Sequence, residues 1–346
     1  MIVRPSLILA LLLAPAVPAH AASFDCAAAE TPFETAICDT PDLSRADEIL
    51  AKSFATALGG LTSEAQSDLR AGQRAWLAHA ERACTADGVA LTDGSYDERG
   101  ISCLTTLFDN RSRALEQSRM INGHRFTIAS VYDALPDPDE VDNPNSYWPL
   151  ATHDVVYPVL DYDDPIAEAF NGFVVDVVRP YTDLPLDGGA GGELDESSDS
   201  SVTASVTHVA GTARITLELD YYWFGHGAAH GNYGIDHFHY LIGEGRLLEA
   251  SDIFAGADWQ TVLRDAAWSQ LKRQHADWLY AEGPEDVAEI VIDPTRWGLD
   301  DDYGLIIQFQ PYEVAPYAYG APTISVSWES LEAISAESQG EIRYGY

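Results

Sequence analysis

The stretch Ser201–Ile242, "SVTASVTHVAGTARITLELDYYWFGHGAAHGNYGIDHFHYLI", decides the architecture. Ser201–Phe224 reads as two strands that turn at Ala210-Gly211, and Gly234–Ile242 alternates apolar and polar residues as a half-buried strand does. Between them, Trp223–Asn232 places His226 and His230 four residues apart among three glycines. On a helix that spacing would offer both rings to one metal. Glycines at this density instead suit a turn with positive φ, the tip of a hairpin. His237 and His239 share a face because side chains alternate along a strand. If their strand pairs with the one ending at Trp223, then His226, His230, His237 and His239 form a possible zinc set. A fixed hydrogen bond for His230 in a tight loop, or contact with a partner, are the other readings.

Outward from the hairpin, the pattern is mixed. "DVVYPVL" (Asp154–Leu160) reads as a strand. "DPIAEAFNGFVVDVVRPY" reads as an amphipathic helix, with Ile166, Phe170, Phe173, Val174 and Val177 at spacings of three or four. "DGGAGGELDESSDSS" (Asp187–Ser201) reads as a flexible acidic loop. A long helix is expected over Ala257–Tyr280, and strands over Glu289–Ile292, Gly304–Gln308 and Thr323–Ser327. "PYEVAPYAYG" (Pro311–Gly320) is stiffened by two prolines and carries Tyr312, Tyr317 and Tyr319, rigid contact area with polar tips. With His230 and Glu313, these tyrosines are the candidate partner-binding residues.

The first residues, "MIVRPSLILALLLAPAVPAHA", place one arginine before an apolar run and a small-residue end at Ala19-His20-Ala21. This reads as a secretory leader over 1–21, cleaved before Ala22, so the mature chain is expected in a periplasm or outside the cell. No later segment reaches the ~20 apolar residues that span a bilayer. The chain has 19 basic and 55 acidic residues, net −36; without Arg4 the balance is 18 − 55 = −37. Such a field repels nucleic acid and anionic lipid and attracts a basic partner.

The first third is helical in pattern. "TPFE" sets Thr31 as N-cap, Pro32 at the first position and Glu34 as the reciprocal capping residue. "TPDL" repeats the device at Thr40, and Leu43, Ala46, Leu50, Phe54 and Leu58 follow at helical spacing. Ser63 and Gln66 open another helix carrying Leu69, Trp76 and Ala80, and a further one runs from about Ile101 through Leu104, Leu107, Phe108 and Leu115. All four cysteines, Cys26, Cys38, Cys84 and Cys103, lie here. In an exported chain they read as two disulfides. Of the three pairings, sequence neighbours are the simplest, each loop adding about 3 kcal/mol in the chain-entropy model. No C-x-x-C pair supports a zinc alternative.

Two resemblances emerge. "FDCAAAETPFETAICDTPDLSRAD", "QRAWLAHAERAC" and "CLTTLFDNRSRALE", with Gln73, Trp76, Cys103-Leu104 and Arg111 in place, resemble the LprI-type lysozyme-inhibitor N-terminal family over about Ser23–Gln117. That resemblance implies a small, helical, disulfide-bonded, exported domain associated with lysozyme inhibition. "YYWFGHGAAHGNYGIDHFHYLIGEGRLLEASDIF" and "LIIQFQPYEVAPYAYGAPTISVSWESL" resemble the RsiV-type extracellular region, also found beside peptidoglycan deacetylase domains, over about Thr152–Leu331. Members include a membrane anti-sigma factor whose outer domain binds lysozyme. This chain lacks the membrane helix and the cytoplasmic segment of that protein, so only the extracellular binding role carries over.

The expected class is therefore α+β. A disulfide-bonded helical domain (22–120) is followed by an acidic, Pro-rich connecting segment (121–150), and then by an α+β domain (151–346) with a mostly antiparallel sheet and one long helix. The acidic run Asp133–Pro149 does not follow the EF-hand order, so it reads as a solvated loop. No nucleophile elbow, H-E-x-x-H, P-loop or dinucleotide fingerprint occurs. The match of Ser269–Lys272 to S-x-x-K lacks its companion motifs. Taken together, these readings predict a non-catalytic protein without cofactor, binding a basic protein such as lysozyme or peptidoglycan itself, with no nucleic-acid partner and no membrane insertion. A zinc-binding protein built on the histidines is the remaining alternative.

Overall fold

The structure, a computed structural model, describes residues 22–140, 143 and 145–346; the expected leader lies outside the described residues. The helical part comprises α1 (Pro32–Asp39), α2 (Pro41–Ala57), α3 (Ser63–Ala83) and α4 (Glu98–Leu115). Thr31 and Glu34 form the expected capping box on α1. At α2 the Thr40 side chain makes no cap bond, and α3 is capped by Thr62 rather than Ser63. Leu43, Leu50, Leu69, Trp76, Leu104 and Phe108 are buried together, with the Trp76 ring edge-on to Phe108 at 5.1 Å. Two disulfides, Cys26–Cys38 and Cys84–Cys103, join sequence neighbours. The second ties the end of α3 to α4, although α4 lies closest to α2.

Two sheets follow. The larger has seven strands in sequence order: β1 (Met120–Ile121), β2 (His124–Pro136), β3 (Leu150–Leu160), β4 (Ser198–Ala210), β5 (Arg214–Gly225), β6 (Asn232–Leu241) and β7 (Arg246–Leu247). Every pairing is antiparallel except β3–β4, whose crossover contains α5 (Ala167–Val178). Then come α6 (Ala250–Ile253), α7 (Trp259–His275) and α8 (Ala288–Val291). The smaller antiparallel sheet is β8 (Trp297–Gly298), β9 (Gly304–Gln308) and β10 (Thr323–Ser327), followed by α9 (Trp328–Leu331) and α10 (Gln339–Tyr344). Fold class and β-hairpins agree with the sequence reading.

Three expectations change. The connecting segment expected over 121–150 instead supplies β2, paired with β3 from Phe126↔Leu160 to Pro136↔Leu150. Its acidic, proline-bearing end masks a strand whose partner is the next segment. The loop expected over Asp187–Ser201 gives its last four residues, from Ser198, to β4. The strand expected over Glu289–Ile292 is helical. Pro284 opens a 3-10 turn, the Asp286 carboxylate accepts from the backbone N–H groups of Glu282 and Gly283, and α8 continues from it.

The larger sheet is covered on both faces, and alternation along β3 explains how. Val155 and Tyr157 enter the core under α5, with Phe170 and Val174. Val156 points the other way, into the core of the helical part together with Ile128. The helical part is thus packed onto the sheet and does not hang from a tether. Polar ties reinforce the contact. Arg125 donates to the carbonyls of Ala57 and Gly59, each at 2.8 Å. Arg82 reaches Asp133 at 2.7 Å and the carbonyl of Ala134 at 2.6 Å. Asp161, at the end of β3, accepts from the Thr62 N–H at 2.8 Å and its hydroxyl at 2.5 Å.

Asp161 is 1% exposed, so Asp161→Ala leaves the start of α3 short of acceptors in a dry place. The expected cost is about 1–3 kcal/mol. In urea, the midpoint should fall with unchanged slope in a single transition, because helices and sheet share a core. A midpoint like that of the parent, or two separate transitions, would contradict the shared core.

Candidate functional site

The β5–β6 hairpin is long and regular, registered through Glu218↔His237, Tyr222↔Tyr233 and Trp223↔Asn232. Its loop turns at Gly227, which has φ +78°, and Gly227–His230 are exposed. Gly231 has a steric role: a Cβ there would sit 2.5 Å from the Tyr222 ring. The tip carries His230, whose ring stacks on Tyr317 at 4.0 Å between centroids and 18° between planes. Nδ1 of His230 lies 2.9 Å from the Gly231 carbonyl and Nε2 lies 3.2 Å from the Tyr312 hydroxyl. In the neutral ring Nδ1–H donates to the carbonyl, so Nε2 accepts from the Tyr312 hydroxyl. Tyr317 donates its own hydroxyl to the Gly231 carbonyl at 2.6 Å. Tyr233 meets Tyr317 edge-on at 6.1 Å.

These contacts make a small aromatic platform. Tyr312 is 51% exposed and has φ +70°, a left-handed backbone that a bulky side chain rarely adopts. Strain of this kind persists only where the surroundings over-determine it, and it gathers at functional sites. Here Glu313 is the brace: Oε2 accepts from the Gln310 N–H at 2.6 Å, while Oε1 pairs with Arg296 at 2.9 Å. Gln310 in turn completes the open edge of β6, donating to the Ile235 carbonyl at 2.6 Å and accepting its N–H at 2.8 Å.

Of the five candidate residues, the structure brings His230, Tyr312 and Tyr317 together. Glu313 faces inward to hold the turn. Tyr319 belongs elsewhere, bonded to His275 at 2.7 Å and stacked on Trp278 at 5.2 Å. Tyr222, 42% exposed beside Gly231, is a platform residue that strand periodicity did not single out. Arg296 and Gln310 were also missed, because their partners are 17 and 75 residues away.

The zinc alternative is corrected. Among the described residues no group of three His, Cys, Asp or Glu side chains converges on a metal position. His226 is held by Asp137 at 2.6 Å and stacks on Trp148. His237 faces Glu218 at 4.0 Å. His239 is buried between Thr216 and the Trp297 carbonyl, which lies 2.8 Å from Nε2. Burial holds its pKa well below the usual value, with Arg214 adding to the effect, so it is neutral. Pairing did align the strands, but each ring is claimed by a different part of the fold.

The class this defines is a disulfide-bonded helical domain packed against an α+β scaffold that displays an aromatic hairpin tip. Comparison with known families agrees: residues 26–115 match the family described as Lysozyme inhibitor LprI, and residues 251–329 match DUF3298, a protein family of unknown function. The chain therefore joins an LprI-type domain to a DUF3298-type domain. Among solved structures, it is similar to a DUF3298 family protein from Pseudomonas aeruginosa PAO1 (16% identity, 64% of this chain and 98% of that one, TM-score 0.43). It is also similar to a DUF3298 family member from Bacteroides fragilis NCTC 9343 (16% identity, 65% and 99%, TM-score 0.44). No curated protein matches the chain. The two disulfides fit an extracellular or periplasmic protein, and none of the described helices is long and apolar enough to cross a membrane.

Tyr312 and Tyr317 separate display from support. In Tyr312→Gly, relief of about 1–2 kcal/mol of left-handed strain offsets lost stacking and the entropy of glycine, so stability should move by less than about 1 kcal/mol. In Tyr317→Ala, lost packing under the His230 ring and the loss of one of the two hydrogen bonds to the Gly231 carbonyl should cost about 1–3 kcal/mol. Urea melts of the two variants measure this; equal losses would mean that Tyr312 is ordinary core.

Proposed function

We propose that this protein is an exported, non-catalytic inhibitor that binds a basic lysozyme and covers its cleft with the β5–β6 hairpin tip. The observation that carries the reading is the platform of exposed Tyr222, His230 and Tyr312, backed by half-buried Tyr317, on a chain of net charge −36. Rigid aromatics with polar tips supply contact area at low entropic cost, and they dominate interface energetics when covered. The acidic field supplies the encounter rate with a basic partner. The match of residues 26–115 to Lysozyme inhibitor LprI supports the choice of partner, and the leader read over 1–21 supports export.

A second reading, binding to peptidoglycan, is favoured by the same flat aromatic faces, on which sugar rings stack. Sedimentation with purified sacculi, without lysozyme, separates the two.

Titration of the full chain with a basic lysozyme, read by heat and by lytic activity, tests the first. Binding and inhibition are expected at low ionic strength, weakening as salt shortens the Debye length from about 30 Å toward about 8 Å. Tyr312→Ala is expected to weaken binding tenfold or more, about 1.4 kcal/mol. No heat and full lytic activity at low salt would sink the proposal.

A further inference from the structure

Away from the hairpin tip, the docking of the helical part on the sheet leaves a cavity of about 490 Å³ between α3, α4 and the strands β2, β3 and β4. That is the size range of small-molecule sites. Its helical wall includes Trp76, His79, Arg111 and Gln117; its sheet wall includes Asp154 and Thr203. Exposed side chains of α4, among them Thr106 and Asn110, form its mouth.

The polar groups of this cavity are incompletely matched. Arg111 is 2% exposed, yet all its acceptors are neutral: Gln73 at 2.9 Å, the Ser130 hydroxyl at 2.9 Å and the Tyr132 hydroxyl at 3.1 Å. Its Nη2 has no acceptor, and none of its hydrogen-bond partners among the described residues is a carboxylate. Two further lining residues also bury unpartnered atoms, Nδ1 of His79 and Oε1 of Gln117. Buried polar atoms are nearly always satisfied, so three orphans around one cavity call for an explanation. A buried cation without a counter-charge costs more still. Across the cavity, the Asp154 carboxylate accepts from the Ser201 hydroxyl at 3.0 Å. Burial, with Asp199 nearby, pushes its pKa up to about 6. Burial beside Arg82 lowers that of His79 to about 4, so His79 is neutral.

We propose that this cavity binds a small carboxylate-bearing, hydroxyl-rich molecule of the size of a sugar acid. The carboxylate accepts from Arg111 and supplies its missing counter-charge. Hydroxyl groups donate to Gln117 Oε1 and exchange bonds with Thr203 and Asp154. The apolar edge of the ring lies against Trp76 and Val156. The site does not depend on the hairpin tip or on any lysozyme contact.

Asp154 supplies the signature. Below its pKa it donates to the ligand; above it, its charge opposes the ligand's. Binding is therefore expected to weaken as pH rises through about 6. The other charged or titratable groups around the cavity are His79 on α3, Arg111 and Arg113 on α4, Tyr132 on β2, His153 on β3 and Asp199 on β4. His153 has both ring nitrogens engaged, by the Ser200 hydroxyl at 2.7 Å and the Asp195 carbonyl at 2.9 Å.

The test uses the full chain and glucuronate as probe, with glucose as the neutral control, by calorimetry at about pH 5 and about pH 8. Glucuronate is expected to bind at least tenfold more tightly than glucose, and about tenfold more tightly at the lower pH. Asp154→Asn, nearly isosteric, should abolish the pH difference and raise the affinity at the higher pH. Arg111→Met should abolish glucuronate binding. Equal binding of glucose, no glucuronate binding at either pH, or a pH difference that survives in Asp154→Asn would each overturn the proposal and leave the cavity to solvent.

Discussion

The structure depends on one strand that serves two cores. β3 sends Val155 and Tyr157 under α5 and Val156 toward the helices, and Asp161 just past its end holds Thr62, the N-cap of α3. A strand buried on both faces has no solvated side, which is why its sequence, "DVVYPVL", is a continuous apolar run after its first residue. The same strand makes the sheet's one parallel pairing, with β4, and so forces the crossover that places α5 opposite the helical part. The two family-matched regions are consequently held by one scaffold, with the strands between them as the mortar.

That arrangement has consequences for chemistry. A helical domain packed on a sheet creates an internal seam, and polar groups at the seam must find partners there or go without. Most do: Arg82, Arg125 and Asp161 are satisfied by backbone or by opposite charge. Arg111 and its neighbours are the exception. The hairpin tip shows the opposite economy, since every polar atom that positions His230 and Tyr317 is used, and the aromatic faces are what is left over for contact.

Much of the fold was legible because its determinants are local. The capping box at Thr31 and Glu34 needs four residues, and β9 and β10 fell on their expected bounds because short apolar runs were bracketed by turn residues. The misreadings have two causes. β2 looked like connecting chain because the acids and prolines that begin at its end, from Asp133 to Pro149, dominate the segment, and its pairing with a strand beyond a loop carries no local signal. Glu289–Ile292 is apolar enough for a strand, but an acidic cap a few residues earlier commits the backbone to helix.

At the site, residue type was legible and partnership was not. Tyrosines between prolines, glycines around a histidine and an acidic surface can be read directly, because side-chain chemistry and backbone permissiveness belong to the residue. So could the disulfide pairing be guessed, since short loops close most easily. The stacking of His230 on Tyr317, the inward turn of Glu313, the dispersal of the four histidines and the uncompensated charge of Arg111 join residues that are mostly tens of positions apart. Only the packing of α3 and α4 on β2 and β3, and of the Pro311–Gly320 turn on the β5–β6 tip, decided these, because distance in space is set by the whole chain.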